Sequence, residues 1–269
     1  MSSTIIASGH GLVESARIRA SEFWFADWFA QRIIRVAADG AEHPVATLPG
    51  MPICFDWLPD GTLVCTGGGA ALTTVTGDGA LTGFADLSVL SDKPYNDIAV
   101  DPRGHVFVNN IGFDFPGGEF APGFIGVVSP DRAVRRVADD LAFPNGMAVT
   151  GDGSTLIVAE SYAARLTAFT IADDGSLGDR RVWADLGEGV APDGISVDPS
   201  GAIWYASVPQ QHCALVAEGG EVLSTVELDR GCFDCAIDDS GSTLYVAAAG
   251  WGQDMAGSGQ IVRIELGER

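Results

Sequence analysis

Short glycine-containing turns recur along this chain at a nearly constant interval, and that interval restricts the possible folds more than any other feature. The turn glycines Gly61, Gly104, Gly153, Gly201 and Gly241 are separated by 43, 49, 48 and 40 residues. Each lies between two short runs that alternate apolar and polar side chains, as in NDIAVDPRGHVFVNN, NGMAVTGDGSTLIVAES and DGISVDPSGAIWYAS. Alternation with a period of two belongs to strands. Asp-Pro-x-Gly and Gly-Asp-Gly suit tight turns, because proline presets φ and glycine accepts positive φ. A β-rich unit repeated at this interval is the mark of a propeller, in which each copy is a four-stranded blade packed against its neighbours.

Six copies can be laid out in the 269 residues. The expected fold is therefore all-β, a six-bladed β-propeller formed by residues 1–269 as a single domain. The first copy is looser than the rest and runs from Glu14 to about Gly40 through FWFAD and RIIRVAAD. The others open at ICFDWLPDG, NDIAVDPRG, NGMAVTGDG, DGISVDPSG and FDCAIDDSG. No stretch carries a helical period. The short apolar piece TIIAS is expected to supply the fourth strand of the last blade, beside GQIVRIEL, so that no blade edge stays open.

Composition narrows the partners. A net charge of −21, with no cluster of Lys and Arg, argues against nucleic acid, whose phosphates need such clusters. No apolar run is long enough to span a membrane, and MSSTIIASGHGLVE lacks the basic and apolar regions of a signal peptide. Five cysteines at irregular spacing fit reduced thiols in a cytoplasm, and the single CxxC of Cys232 and Cys235 has no second pair. The expectation is a cytoplasmic protein with a small-molecule substrate, present as a monomer or weak oligomer.

The register of the copies points to a site. Eight residues before each turn glycine, and before Glu22 in the first copy, stand Glu14, Ile53, Asn96, Asn145, Asp193 and Phe233. In a radial repeat one register position is one place around the central axis. Glu14, Asn96, Asn145 and Asp193 should thus converge at one mouth of the channel. A local turn role accounts for any one Asn or Asp. Such a role would recur in every copy, and Ile53 and Phe233 break it. Two carboxylates and two carboxamides are hard oxygen donors, suited to Ca²⁺, Mg²⁺ or Mn²⁺ rather than to a thiolate-rich zinc site.

Taken in order, Glu14 in VESARI, Asn96-Asp97 in YNDIAVDPRG, Asn145 in FPNGMAVTGDG and Asp193 in APDGISVDPSG resemble the SMP-30/gluconolactonase family of regucalcin-like lactonases. CFDCAIDDSGSTLYVAAAGW is similar to that family's last blade. The resemblance covers essentially the whole chain and rests on the ordered set. It implies one divalent metal ion at the channel mouth, Ca²⁺ ahead of Mn²⁺, Mg²⁺ and Zn²⁺, and hydrolysis of a lactone, often a sugar lactone. Carried over position by position, it implies Glu14, Asn145 and Asp193 as metal ligands. Asn96 becomes a further ligand or a substrate contact, and Asp193 the general base. The metal would polarise the lactone carbonyl while water adds, and either free Asp193 or a metal-bound hydroxide would activate that water.

The chain departs from the family at two places. Pro94 stands where members that take sugar lactones often carry Arg, with Lys93 one residue further back, and Glu14-Ser15-Ala16 replaces the usual Glu-Gly-Pro. The aromatic segment GFDFPGGEFAPGF is expected to overhang the site, where Phe113, Phe115, Phe120 or Phe124 would favour a less polar substrate.

Two rival readings use similar residues: another metal-assisted hydrolase of phosphotriesterase type, and a non-catalytic calcium-binding propeller. In the second, Glu160, Arg165, Trp24, Trp28, Trp57 and Trp251 would serve a binding surface. Serine chemistry lacks its Gly-x-Ser-x-Gly elbow. Of the histidines, His105 is expected on a solvent-facing strand, His43 in a loop, His212 in a loop near the channel, and His10 close enough to Glu14 to line the mouth.

Overall fold

The computed structural model describes residues 1–252 and 255–267, and among them no helix occurs, hence none long and apolar enough to cross a membrane. After an opening strand β1 (Ser2–His10), blade one is β2 (Val13–Arg19), β3 (Glu22–Asp27), β4 (Arg32–Val36) and β5 (Glu42–Thr47). Blade two is β6 (Phe55–Trp57), β7 (Leu63–Cys65), β8 (Ala71–Val75) and β9 (Leu81–Asp86). Blade three is β10 (Ile98–Val100), β11 (Val106–Asn110), β12 (Gly123–Val128) and β13 (Val134–Leu141). Blade four is β14 (Pro144–Val149), β15 (Thr155–Glu160), β16 (Arg165–Ile171) and β17 (Leu177–Asp185). Blade five is β18 (Pro192–Val197), β19 (Ile203–Ser207), β20 (His212–Val216) and β21 (Val222–Glu227). Blade six takes β22 (Gly231–Ile237), β23 (Thr243–Ala249) and β24 (Gly259–Glu265) from the chain's end.

Its fourth strand is β1, antiparallel to β24, with Ser2 opposite Glu265 and His10 opposite Gly259. The TIIAS segment thus closes the six-bladed propeller as predicted, and the edge of β24 is paired rather than left open.

The core is divided among the seams. Among the described residues six apolar clusters occur, one between each pair of adjacent blades. Between blades five and six, for example, Trp204 and Leu215 meet Leu244 and Val262. A strand covered on both faces loses its alternation, which is why Val106–Asn110 and Gly231–Ile237 are buried throughout.

At the far end of each inner strand lie the predicted turns. Gly104 has φ 87°, and its N–H donates to Asp101 O at 2.9 Å. The first copy turns instead on Ala20 and Ser21, both at positive φ, as a two-residue hairpin does. That explains its looser pattern. His105 contradicts its expected solvent-facing position. It is 4% exposed, its Nδ1 is 2.9 Å from Asp101 Oδ2, and its backbone N–H also bonds that carboxylate. The Asp of the Asp-Pro-x-Gly turn is itself buried, so its charge draws the following histidine inward.

At the near end, four inner strands carry bulges. The ladder register shifts between Glu14 and Arg17, Pro144 and Met147, Pro192 and Ile195, and Cys232 and Asp234. A bulge releases its extra residue from pairing and re-aims it. Asn145 and Asp193 are such released residues.

Candidate functional site

The starts of the inner strands bring the four predicted residues to one end of the channel, each half-buried. Asn96 Nδ2 donates to Asn145 Oδ1 at 2.8 Å. Asn145 Nδ2 donates to Ser161 Oγ at 3.3 Å, and the Asn145 amide also bonds the Asp193 carboxylate. Asp193 in turn lies close enough to Glu14 for the two to repel. Between the strands is a small cavity of about 20 Å³, lined by Glu14, Asn96 and Asn145 together with Trp28 and Ile53. Trp28 Nε1 donates to Ile53 O at 2.7 Å, which fixes the apolar side of the cavity.

Burial pushes the Glu14 carboxyl well above the usual carboxylate range, and Asp193, Asp234 and Asp97 push it further. Asp193 is raised well above that range by burial and then by Asp234 and Asp97. Among the described residues neither Glu14 nor Asp193 has an ion-pair partner, since the nearby cation, Arg17, is bound to other carboxylates. Two confined acids with no counter-charge, beside two carboxamide oxygens, form a donor set that suits a hard divalent cation. Among the described residues no group of three or more His, Cys, Asp or Glu side chains is placed to hold a metal. The set contains only two such residues, and its remaining donors are neutral.

Beneath the four lies a second ring, one residue further along each inner strand: Ser15, Cys54, Asp97, Gly146, Gly194 and Asp234. Its members join each blade to the next. Ser15 Oγ accepts the Phe55 N–H at 3.1 Å and meets Cys54 Sγ at 3.0 Å. Cys54 Sγ donates to Asp97 Oδ1, and Asp97 Oδ2 accepts the Met147 N–H at 2.6 Å. Asp234 Oδ2 accepts the Ala16 N–H at 2.6 Å, across the closing seam. Blades four and five carry glycine here because the backbones nearly touch. A Cβ on Gly146 would lie 2.5 Å from Asp193 O, and one on Gly194 would overlap Asp234 Oδ1.

Arg17 lies among these carboxylates. Its Nη1 is 3.4 Å from Asp234 and its Nη2 is 3.4 Å from Asp97, and it also donates to the carbonyls of Ala16 and Ile98. Burial works against its charge, yet Cys54, Asp97 and Asp234 hold it firmly protonated. Burial also lifts Asp234 to about 7 against the pull of Arg17. Sequence reasoning missed Arg17, Asp234 and the anchoring part of Asp97. The signal was present: the register count that finds the first ring finds the second when moved on by one.

Other expectations meet different outcomes. Phe113, Phe115 and Phe120 lie on the loop between β11 and β12, on the mouth side. Phe124 does not; it is a buried residue of β12 against Tyr95, with the Arg136 guanidinium 3.8 Å from its ring. Lys93 pairs with Asp114 at 2.6 Å, and Pro94 O accepts a bond from Asn110 Nδ2 at 2.9 Å. His10 does not line the cavity: its ring nitrogens lie 3.1 Å from Asp27 and 3.1 Å from Glu42. His212 opens β20 beside Tyr205, and His43 belongs to β5 rather than to a loop. Glu160 is fully buried under Arg165, Arg180 and Thr167, so it forms an internal ion cluster and no binding surface. Trp24 and Trp57 pack edge to face at 5.2 Å, whereas Trp251 is exposed beside Phe233. All five cysteines are free and buried, and Cys232 and Cys235 fill the seam between blades five and six.

Comparison with known proteins gives these features relatives. The sequence pattern described as the SMP-30/gluconolactonase/LRE-like region matches residues 12–250. A regucalcin from Danio rerio is 26% identical over 181 residues, 65% of this chain and 61% of that protein. A pentonolactonase from Haloferax volcanii is 28% identical over 151 residues, covering 49% of this chain and 50% of its own. The chain therefore spans less than two thirds of the length of either. Among solved structures, a gluconolactonase from Xanthomonas campestris shares the fold with a TM-score of 0.79 at 21% identity, covering 98% of this chain and 89% of that one.

Proposed function

Because the chain belongs to the SMP-30/gluconolactonase/LRE-like family, we propose that it hydrolyses a lactone with the help of one divalent metal ion, Ca²⁺ ahead of Mn²⁺, Mg²⁺ or Zn²⁺. The observation that carries this reading is the pair Glu14 and Asp193, half-buried together beside the Asn96–Asn145 amides with no ion-pair partner among the described residues. Glu14, Asn145 and Asp193 would hold the ion, with Asn96 as a further ligand or substrate contact. Bound there, a divalent cation supplies Lewis-acid polarisation of the ester carbonyl and offsets the negative charge that grows on its oxygen.

The remaining work falls to the side chains. Asp193 takes a proton from the attacking water as general base. The water oxygen bonds the carbonyl carbon, the ring C–O bond breaks, and the proton passes from Asp193 to the departing alkoxide. Asn145 fixes the Asp193 carboxylate by hydrogen bonding, and Asn96 orients the lactone ring. Trp28 and Ile53 exclude water from one side.

The product is a hydroxy acid that releases a proton at neutral pH, so a lactone panel can be followed by pH-stat. Turnover is expected with Ca²⁺ or Mn²⁺, is lost with EDTA, and returns on adding metal back. A protein that binds Ca²⁺ yet opens no lactone is instead a non-catalytic calcium-binding propeller.

A further inference from the structure

Every exposed Phe, Tyr and Trp among the described residues stands on one face. Phe29, Phe115, Phe120, Tyr162 and Trp251 lie on loops joining the second and third strands of their blades. The inner strands start at the mouth, so these loops return to it, and the turns of the opposite face carry none. Three of the five belong to one wall. Phe115 is 45% exposed, Phe120 51% and Tyr162 56%, yet their rings are held from behind by Phe113 and Phe143, both buried. Ring centroids are 5.0 Å apart for Phe115–Phe143, 5.7 Å for Phe113–Phe120 and 4.8 Å for Phe143–Tyr162.

This wall is built onto the site. Phe143 is two residues before Asn145, and Tyr162 follows Ser161, which accepts the Asn145 amide bond. On the other side, Asn110 Nδ2 donates to Lys93 O and Pro94 O, joining the base of the aromatic loop to the segment that leads to Asn96. Gly112 seals the loop, since a Cβ there would overlap Pro122 O. The residues lining the cavity include Glu14, Asp97 and Asp234 but no Lys or Arg, and the Arg17 guanidinium behind them is already engaged by Asp97 and Asp234.

We propose that the aromatic wall is a subsite for an apolar substituent, so that the substrate is a neutral lactone bearing an alkyl or aryl group rather than a polyhydroxylated or anionic one. The proposal rests on the lactonase reading above. Phenyl faces leave sugar hydroxyls without partners, and the acidic lining offers an anionic group none. An alkyl chain laid on the wall instead loses its contact with water.

The test is a series of δ-lactones with alkyl chains of increasing length, alongside a sugar δ-lactone, assayed with Ca²⁺. The expected kcat/KM rises about fourfold per added methylene over the first few, and the sugar lactone is the poorer substrate. Phe120→Ala combined with Tyr162→Ala, both exposed and tolerant of change, flattens that slope, while Val222→Ser on an outer strand leaves it intact. A flat slope in the parent, or a preference for the sugar lactone, overturns the subsite. If no lactone is opened, the lactonase reading fails separately. Calorimetric binding of the matching 6-alkyl-2-piperidones, which resist hydrolysis, then decides: affinity that climbs with chain length and is lost in the double variant supports the wall, and affinity independent of length overturns it.

Discussion

Asp193 and Arg17 are two ionic residues of one channel, and they answer to different demands. Asp193 has no cation against it among the described residues and is proposed to serve chemistry. Its replacement, Asp193→Asn, keeps the shape and removes the basicity, so lactone turnover should fall about 10²- to 10⁴-fold while circular dichroism is unchanged. Arg17 serves structure. It is the counter-charge for Asp97 and Asp234, which are buried on opposite sides of the ring. Arg17→Met strands both acids, and loss of one partner from a buried ion cluster costs about 3–5 kcal/mol. A urea titration should show that loss as a lower midpoint, whether or not metal is added.

The inner strand is the element in which sequence and site meet. Its bulge frees Asn145 and Asp193 for the channel, and the glycine that follows each lets the next blade approach. Gly194→Ala should therefore destabilise the protein by about 1–3 kcal/mol through overpacking against Asp234, while Gly83→Ala, with open space around it on β9, should leave the midpoint in place. The turns, blade count, closing strand and four mouth residues were all legible in the sequence, because each depends on a spacing. The second ring was not read, although it obeys the same spacing, because Cys54, Gly146 and Gly194 share no chemistry and only their neighbours across the seam give them a role. His105, Phe124 and Glu160 were misplaced for a related reason. Each is inward because of the side chains it meets, Asp101 for His105, Tyr95 for Phe124, and Arg165, Arg180 and Thr167 for Glu160, and no alternation of apolar and polar residues encodes those meetings.

At the scale of the whole molecule, the seam between blades six and one must hold, and His10 helps to latch it. Its ring, at the end of the closing strand, lies between Asp27 and Glu42 of blade one. The bond to Asp27, opposed by burial and aided by Glu42, raises its affinity for a proton. A raised folded value means the stabilisation is complete below the unfolded histidine value of about 6.5 and disappears as pH rises through the folded one. Burial would push Asp27 up, but bonds from His10, Ala30 and Gly11 bring it down, so its share is lost only in acid, as pH falls through that depressed value. The thermal midpoint should thus decline as pH rises past about 6.5 more steeply in the parent than in His10→Gln. The proposed metal adds its own increment. At a hundredfold excess over Kd, Ca²⁺ should stabilise the protein by about 2.7 kcal/mol, and Glu14→Gln should lose most of that thermal shift. The second ring has a consequence for descent. Six copies of one plan hold unlike halves of shared joints: the space left by Gly194 is filled by Asp234, and the hydroxyl of Ser15 is aimed at Phe55. A blade copied from one place to another would bring the wrong half to both of its neighbours. The repeat is not a set of interchangeable parts, and a substitution on one side of a joint can be inherited only with its answer on the other.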